Sequence, residues 1–332
     1  MTGQLPGSGG QGEIDLLLPP GPHHTPPSHA DTHPVRLAGE TMCTGWSLNA
    51  LVPTALSTDA VEAALLQAFE TVIAQMSQWR ADSQISRFNS GAPGSEHRIG
   101  PQFRQVLDCA MAISQASDGA FHPAMGAAAQ AWGFGAAMFD GAKPTGKVAP
   151  ADWRSLTGSA RDRIVQPGGV RLDLSGIAKG FAVDLAMAAL QRCGLGHALL
   201  DIGGELKGIG LRADGLPWWV DLEQREDSVA MATRIGLTGW AVATSGHWHR
   251  RRSAGPDSWS HTLDPATGAP VGDALSATVL HPGCMQADAL ATALIVLGEA
   301  RAMAFADRHN LAARLVTGTQ VLESAAWQRW RA

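Results

Sequence analysis

Val170-Arg171-Leu172-Asp173-Leu174-Ser175-Gly176-Ile177-Ala178-Lys179-Gly180-Phe181-Ala182-Val183-Asp184 carries a β-branched and leucine-rich stretch through a carboxylate and small residues straight into a helical pattern. Read locally, a strand delivers its end to a helix start. The first N–H groups of a helix lack intrahelical partners, the dipole favours negative charge there, and Ser175, Gly176 and Ala178 leave room for an anion to approach. Lys179 adds a full positive charge and is one of only four lysines, with Lys143, Lys147 and Lys207, so its place in this turn stands out. The stretch suits a phosphate ligand. It also fits an ordinary strand-to-helix junction whose lysine reaches solvent.

Strands and helices meet on both sides of this stretch. Upstream, a strand is expected over 46–52. A helix over 59–79 follows, opened by Asp59 and Glu62 in capping-box spacing and striped by Val61, Leu65, Phe69, Val72 and Met76. A second helix over 103–116 turns Phe103, Val106, Leu107, Ala110 and Ile113 inward and stops at Asp118-Gly119. Downstream, a helix over 177–192 closes at Gly194. Strands are expected over 198–202, 218–222, 234–237, 240–244, 259–263 and 275–280, then a helix over 285–309 weakened at Gly298 and a last strand over 313–316. Hairpin-like spacing in the C-terminal half favours a layered α+β fold over a regular parallel βαβ array. Residues 1–38 hold seven of the nineteen prolines and four of the twelve histidines (His23, His24, His29, His33) and read as a disordered tail, leaving 39–332 as one domain.

Composition narrows the function classes. The chain has 332 residues, 45% hydrophobic and 17% charged, with a net charge of −5, so a basic nucleic-acid surface is not indicated and the Arg250-Arg251-Arg252 triplet is too short to supply one. Cys43, Cys109, Cys193 and Cys284 lie far apart, without the spacing of a disulfide framework or a zinc site. No apolar run approaches the roughly twenty residues of a membrane span, and the Met1 end lacks the basic and apolar regions of a secretory leader. As given, the chain reads as cytoplasmic; a periplasmic protein shorn of its leader would look the same.

Several constellations bear chemistry. Asp288 and Thr292 stand four residues apart on a helix, hence on one face, and two hard oxygen donors so placed suit Mg²⁺ beside waters and phosphates. Capping by Asp288 and back-bonding by Thr292 are the ordinary alternatives. His261 sits at a strand end before the turn Asp264-Pro265, where an imidazole can take a proton from a hydroxyl, or be satisfied by neighbouring backbone. Trp79, Phe121 and Met42 offer apolar surface for a planar ring or for core packing. Small residues at 201–205 and 243–246 permit backbone contact with a ligand, or make tight turns.

Taken in order, Met42-Cys43-Thr44-Gly45-Trp46, the segment 76–89, 119–126 with Trp132-Gly133-Phe134-Gly135, 173–184, 201–207, 243–246, 260–270 and 288–294 resemble the ApbE family, the FAD:protein FMN transferases. The resemblance spans nearly everything after the tail. It implies an α+β fold related to the tunnelling fold, one bound FAD, and Mg²⁺-dependent transfer of FMN to a threonine hydroxyl of an acceptor flavoprotein, with AMP leaving. Met42, Trp79 and the run Ala120, Phe121, His122 match positions bordering the flavin and adenine. Asp173 and Lys179 match further FAD contacts. The Gly176 carbonyl, Asp288 and Thr292 match the metal ligands, and His261 matches the base. Three residues depart from the family pattern: His122 and His247 stand where aspartate is usual, and Cys43 where glycine is. The same residues would also serve an Mg²⁺-dependent FAD diphosphatase, or a protein that binds FAD without turnover.

Overall fold

Alternate side chains of the segment around Trp46 are buried, Trp46, Leu48, Ala50 and Val52 all facing one core, which is the period-two signature of a strand covered on one face. The computed structural model describes all residues except 1–13, 22–26, 28–29, 140, 143, 145–147, 159, 225–227, 248–249 and 273. Its strands are β1 (Asp15–Leu17), β2 (Thr32–Thr41), β3 (Thr44–Pro53), β4 (Glu96–Arg98), β5 (Arg163–Val165), β6 (His197–Ile202), β7 (Glu205–Ile209), β8 (Trp218–Asp221), β9 (Thr233–Leu237), β10 (Ala241–Gly246), β11 (Arg251–Ala254), β12 (Asp257–Ser260), β13 (Leu263–Asp264), β14 (Ala269–Pro270), β15 (Ala274–His281), β16 (Ala312–Thr317) and β17 (Val321–Glu323). Its helices are α1 (Thr58–Met76), α2 (Gln84–Asn89), α3 (Pro101–Ala116), α4 (Gly126–Ala131), α5 (Ala178–Arg192), α6 (Cys284–Arg308) and α7 (Ala325–Arg329).

Eight strands form one sheet in the order β17-β16-β15-β10-β7-β6-β3-β2, and every neighbouring pair in it is antiparallel. Helices α1, α3, α5 and α6 bury their apolar faces with residues of this sheet in the main core. A second core gathers Val242, Leu280 and Ala312 of the same sheet with Ile235 and Leu237 of β9, Leu17 of β1 and Trp327 of α7. The small sheet β1-β9-β8 and α7 thus form another layer, and the architecture is layered α+β as expected.

The structure corrects several local expectations. Part of the expected tail is ordered: β1 pairs in parallel with β9, Leu17 is fully buried, and β2 pairs along the whole of β3. Local composition hides β1 because its partner β9 lies far away in the chain; His23, His24 and His29 fall outside the described residues. The stretch 170–174 is extended but joins no strand. Its backbone is satisfied piecemeal instead: Asn89 exchanges two bonds with Leu172, at 2.7 and 2.9 Å, Gly126 N–H donates to Arg171 O, and Asp173 N–H donates to Pro123 O. Helix α1 is capped by Ser57, whose hydroxyl accepts from Ala60 N–H, not by Asp59, and it ends at Met76, so Trp79 lies in the following turn. The strand expected over 259–263 is broken at His261, whose N–H donates to Arg250 O. Strand β17 and helix α7, unanticipated, complete the C-terminus.

Helix α6 is long and apolar enough to cross a membrane by length and composition alone, correcting the expectation that no segment is. Here it is a core helix: fourteen of its residues are buried, among them Asp288, and Gly298 interrupts it with φ 65° and ψ −177°.

Candidate active site

Two hairpin turns and two helices bring the site together. Met42 and Cys43, at φ 49° and 60°, form the two-residue turn between Thr41 and Thr44, a left-handed geometry that ordinarily selects glycine or asparagine. The turn Gly203-Gly204, at φ 62° and 94°, reverses β6 into β7 and sets Glu205 at its start. Helices α5 and α6 approach closely enough that a Cβ on Gly180 would fall 2.8 Å from the Asp288 Cβ.

These elements enclose a cavity of about 1180 Å³. All of Met42, Trp79, Ala120, Phe121, His122, Asp173, Gly176, Lys179, His261, Asp288 and Thr292 line it. Gly176 lies against both Thr292 and Phe121: a Cβ there would come within 2.9 Å of Thr292 Oγ1 and 3.6 Å of the Phe121 ring. Trp79 is half exposed on the wall. Asp173 closes a local turn, its Oδ1 accepting from Ser175 N–H at 2.9 Å and from the Ser175 hydroxyl.

The start of α5 differs from a free anion cradle. Ile177 and Ala178 N–H groups donate to Leu174 O, and Gly180 N–H donates to Asp288 Oδ2 at 3.0 Å. A carboxylate from α6 therefore occupies the position an anion would take, which is favourable beside a helix N-terminus. Nor is Lys179 a loose charge, since its ammonium is bound by Glu205. Burial alone would lower the Lys179 pKa, but the Glu205 and Asp288 carboxylates outweigh it and raise it. Burial raises Glu205, Asp288 and Asp201, with Lys179 opposing each shift. One ammonium thus stands among three carboxylates whose ionised forms are penalised by desolvation.

That imbalance, with the chemistry of the donors, is the test of the expected metal site. Asp288 offers a carboxylate, Thr292 a hydroxyl held by Ser245 Oγ at 3.1 Å, and Gly176 a backbone carbonyl, all hard oxygen donors of the kind Mg²⁺ accepts beside water and phosphate. A divalent cation would offset the excess negative charge, so the residues fit. No group of three or more His, Cys, Asp or Glu side chains suited to a metal occurs among the described residues; the donor set here has a single carboxylate.

His261 adjoins this group. Its Nδ1 lies 3.3 Å from Arg250 O; a carbonyl only accepts, so Nδ1 carries the proton and Nε2 keeps its lone pair. Burial foremost, then the Arg250 charge, pushes its pKa down to about 4. Its ring meets Phe134 edge-on at 6.1 Å between centroids. His122, also lowered to about 4 by burial, accepts Ala124 N–H at Nδ1, the two-residue turn that an aspartate makes. His247 is off the cavity wall; it is 3% exposed, and burial lowers it to about 4.

Glu205 and Ser245 were not singled out by sequence, although both stand in the small-residue turns it flagged. Their partners, Lys179 and Thr292, lie 26 and 47 residues away, so no local sequence signal marks either role.

A family profile for the ApbE family matches residues 42–315. The chain is similar to an FAD:protein FMN transferase of Vibrio cholerae, 31% identical over 296 residues that cover 86% of this chain and 88% of that protein. It is likewise similar to one of Haemophilus influenzae, 30% identical over 308 residues, covering 87% and 88%. Among solved structures, the flavin transferase ApbE from Vibrio cholerae matches with a TM-score of 0.82 and 30% identity over 90% of this chain and 99% of that one. The chain belongs to the ApbE family, and with it to the transferases.

Proposed function

We propose that this chain transfers FMN from FAD to a threonine hydroxyl of an acceptor flavoprotein and releases AMP, in a reaction that depends on Mg²⁺. The observation that carries the reading is the convergence of all eleven residues matched to the family's site on one cavity of about 1180 Å³. That volume exceeds the ~300–1,000 Å³ usual for drug-sized ligands, as a dinucleotide requires.

Trp79, Phe121 and Met42 supply apolar surface for the ring systems. Glu205 fixes the Lys179 ammonium, which attracts the diphosphate. Asp288, Thr292 and the Gly176 carbonyl would hold the cation, and a bound dication stabilises charge on diphosphate oxygens as a Lewis acid. His261, neutral at pH 7, accepts the threonine hydroxyl proton at Nε2. The hydroxyl oxygen then bonds to the FMN-side phosphorus, the bridging P–O bond breaks, and AMP leaves with that oxygen and its electron pair. Ordered Nδ1 bonding to Arg250 O keeps the imidazole in the tautomer this needs.

Incubation with FAD, Mg²⁺ and a threonine-bearing flavoprotein should yield equal amounts of AMP and flavinylated acceptor by mass spectrometry. His261→Ala should bind FAD yet slow transfer by about 10²- to 10⁴-fold. AMP and FMN formed without labelled acceptor would replace transfer by hydrolysis, and FAD retained without turnover across several acceptors would leave only binding.

A further inference from the structure

The Arg250-Arg251-Arg252 triplet, too short for a nucleic-acid surface, is divided by the fold into two structural arginines and one that faces the cavity. Arg251 donates from Nε to Ser258 Oγ at 3.1 Å and from Nη1 to His247 O at 3.4 Å. Arg252 donates to Gly133 O at 2.9 Å and lies over the Phe139 ring. Both tie the β11–β12 hairpin down. Arg250 precedes the hairpin, is exposed and lines the cavity with His261 and Lys179. Among the described residues its guanidinium has no ion pair or side-chain hydrogen bond, while its carbonyl holds His261 by both N–H and Nδ1.

We infer that Arg250 binds the phosphoryl group on the FMN side of the dinucleotide, the one that receives the acceptor hydroxyl. The inference rests on the transfer reading above and adds a side chain to it, since that reading uses only the Arg250 carbonyl. The backbone link ties this residue to the proposed base, and both line the same cavity. Its charge disfavours the protonated form of His261 and, against the stronger pull of Glu205 and Asp288, that of Lys179. A planar guanidinium grips two phosphoryl oxygens at once, which suits an anion that must be held in line with an incoming hydroxyl. Arg250 makes or breaks no covalent bond.

Binding decides the matter independently of turnover. Dissociation constants for FAD, FMN, AMP and riboflavin are measured by titration on wild type, Arg250→Ala, Arg250→Lys and Arg251→Ala, with thermal melting as the check on folding. Arg250→Ala should weaken FAD and FMN by about tenfold or more, the usual weight of a charge-assisted contact, leave riboflavin unchanged, and melt as wild type does; Arg250→Lys should recover part of the loss. Arg251→Ala should lower the melting temperature without separating FMN from riboflavin. Unchanged FMN binding in Arg250→Ala, an equal loss for riboflavin, the same selective loss in Arg251→Ala, or a loss confined to AMP would each overturn the assignment. A wild-type protein that binds FAD and moves no flavin refutes the transfer chemistry while the FMN-to-riboflavin comparison still decides Arg250.

Discussion

Burial sets the protonation of the histidines that matter, and it acts in one direction. His122, His247 and His261 are each lowered from 6.5 to about 4, desolvation being the largest cause in every case. A base with its pKa so lowered stays neutral down to about pH 4. The acid limb of kcat/KM, which reports the free enzyme, is therefore expected near pH 4 to 5 and not near 6.5; a limb at 6.5 would remove His261 as the base or place it in water. The same shifts bear on stability. Between pH 6.5 and 4 the unfolded chain binds more protons than the native one, so the contribution is present above about 6.5 and is lost as the pH falls through about 4. At this scale the sequence flagged residues that the fold brings to one cavity: Lys179 as a rare lysine beside a helix start, His261 at a strand end, and Asp288 by its spacing from Thr292. It was silent on Glu205 and Ser245, whose roles exist only as pairs across elements.

Helices α5 and α6 are the frame of the site, and one glycine governs their separation. A Cβ on Gly180 would lie 2.3 Å from Cys284 O and 2.8 Å from the Asp288 Cβ, and both neighbours belong to α6, so neither can swing aside. Gly180→Ala must push the helices apart, stretching the Gly180 N–H bond to Asp288. We expect a loss of about 1–3 kcal/mol, the usual cost of overpacking a close contact, read as a lower denaturant midpoint at constant m-value; an unchanged midpoint would show that the helices are free to separate. Helix periodicity was legible because α1 and α3 carry clean apolar stripes. The extended run 170–174 misled for a physical reason: a buried strand and a buried non-strand segment share the same apolar composition, and what separates them is whether the backbone partners are a ladder or scattered groups such as Asn89.

Across the whole molecule, the layered order was legible from strand spacing, but the closure of the chain on itself was not. Residues 15–18 meet residues 330–332: Arg331 donates to both Asp15 carboxylate oxygens at 2.6 and 2.8 Å and to Glu323, Ala332 N–H donates to Leu16 O, and Leu18 N–H donates to Trp330 O. A segment rich in proline and glycine is thereby ordered by partners more than 300 residues away, which no local window can register. Asp15 is 8% exposed, so removing Arg331 leaves a buried carboxylate without its main partner. Charge-assisted bonds of this kind contribute ~1.5–3 kcal/mol, and the 43% exposure of the Arg331 side chain argues for the lower part of that range after screening. Arg331→Ala should then destabilise the protein by about 1–2 kcal/mol in chemical denaturation. Adding Asp15→Ala to it should lose little more, because the stranded charge goes with its partner. If the two single variants and the double variant instead prove strictly additive, these two segments are held by the backbone bonds and by Leu17 in its apolar pocket, and the ion pair is incidental.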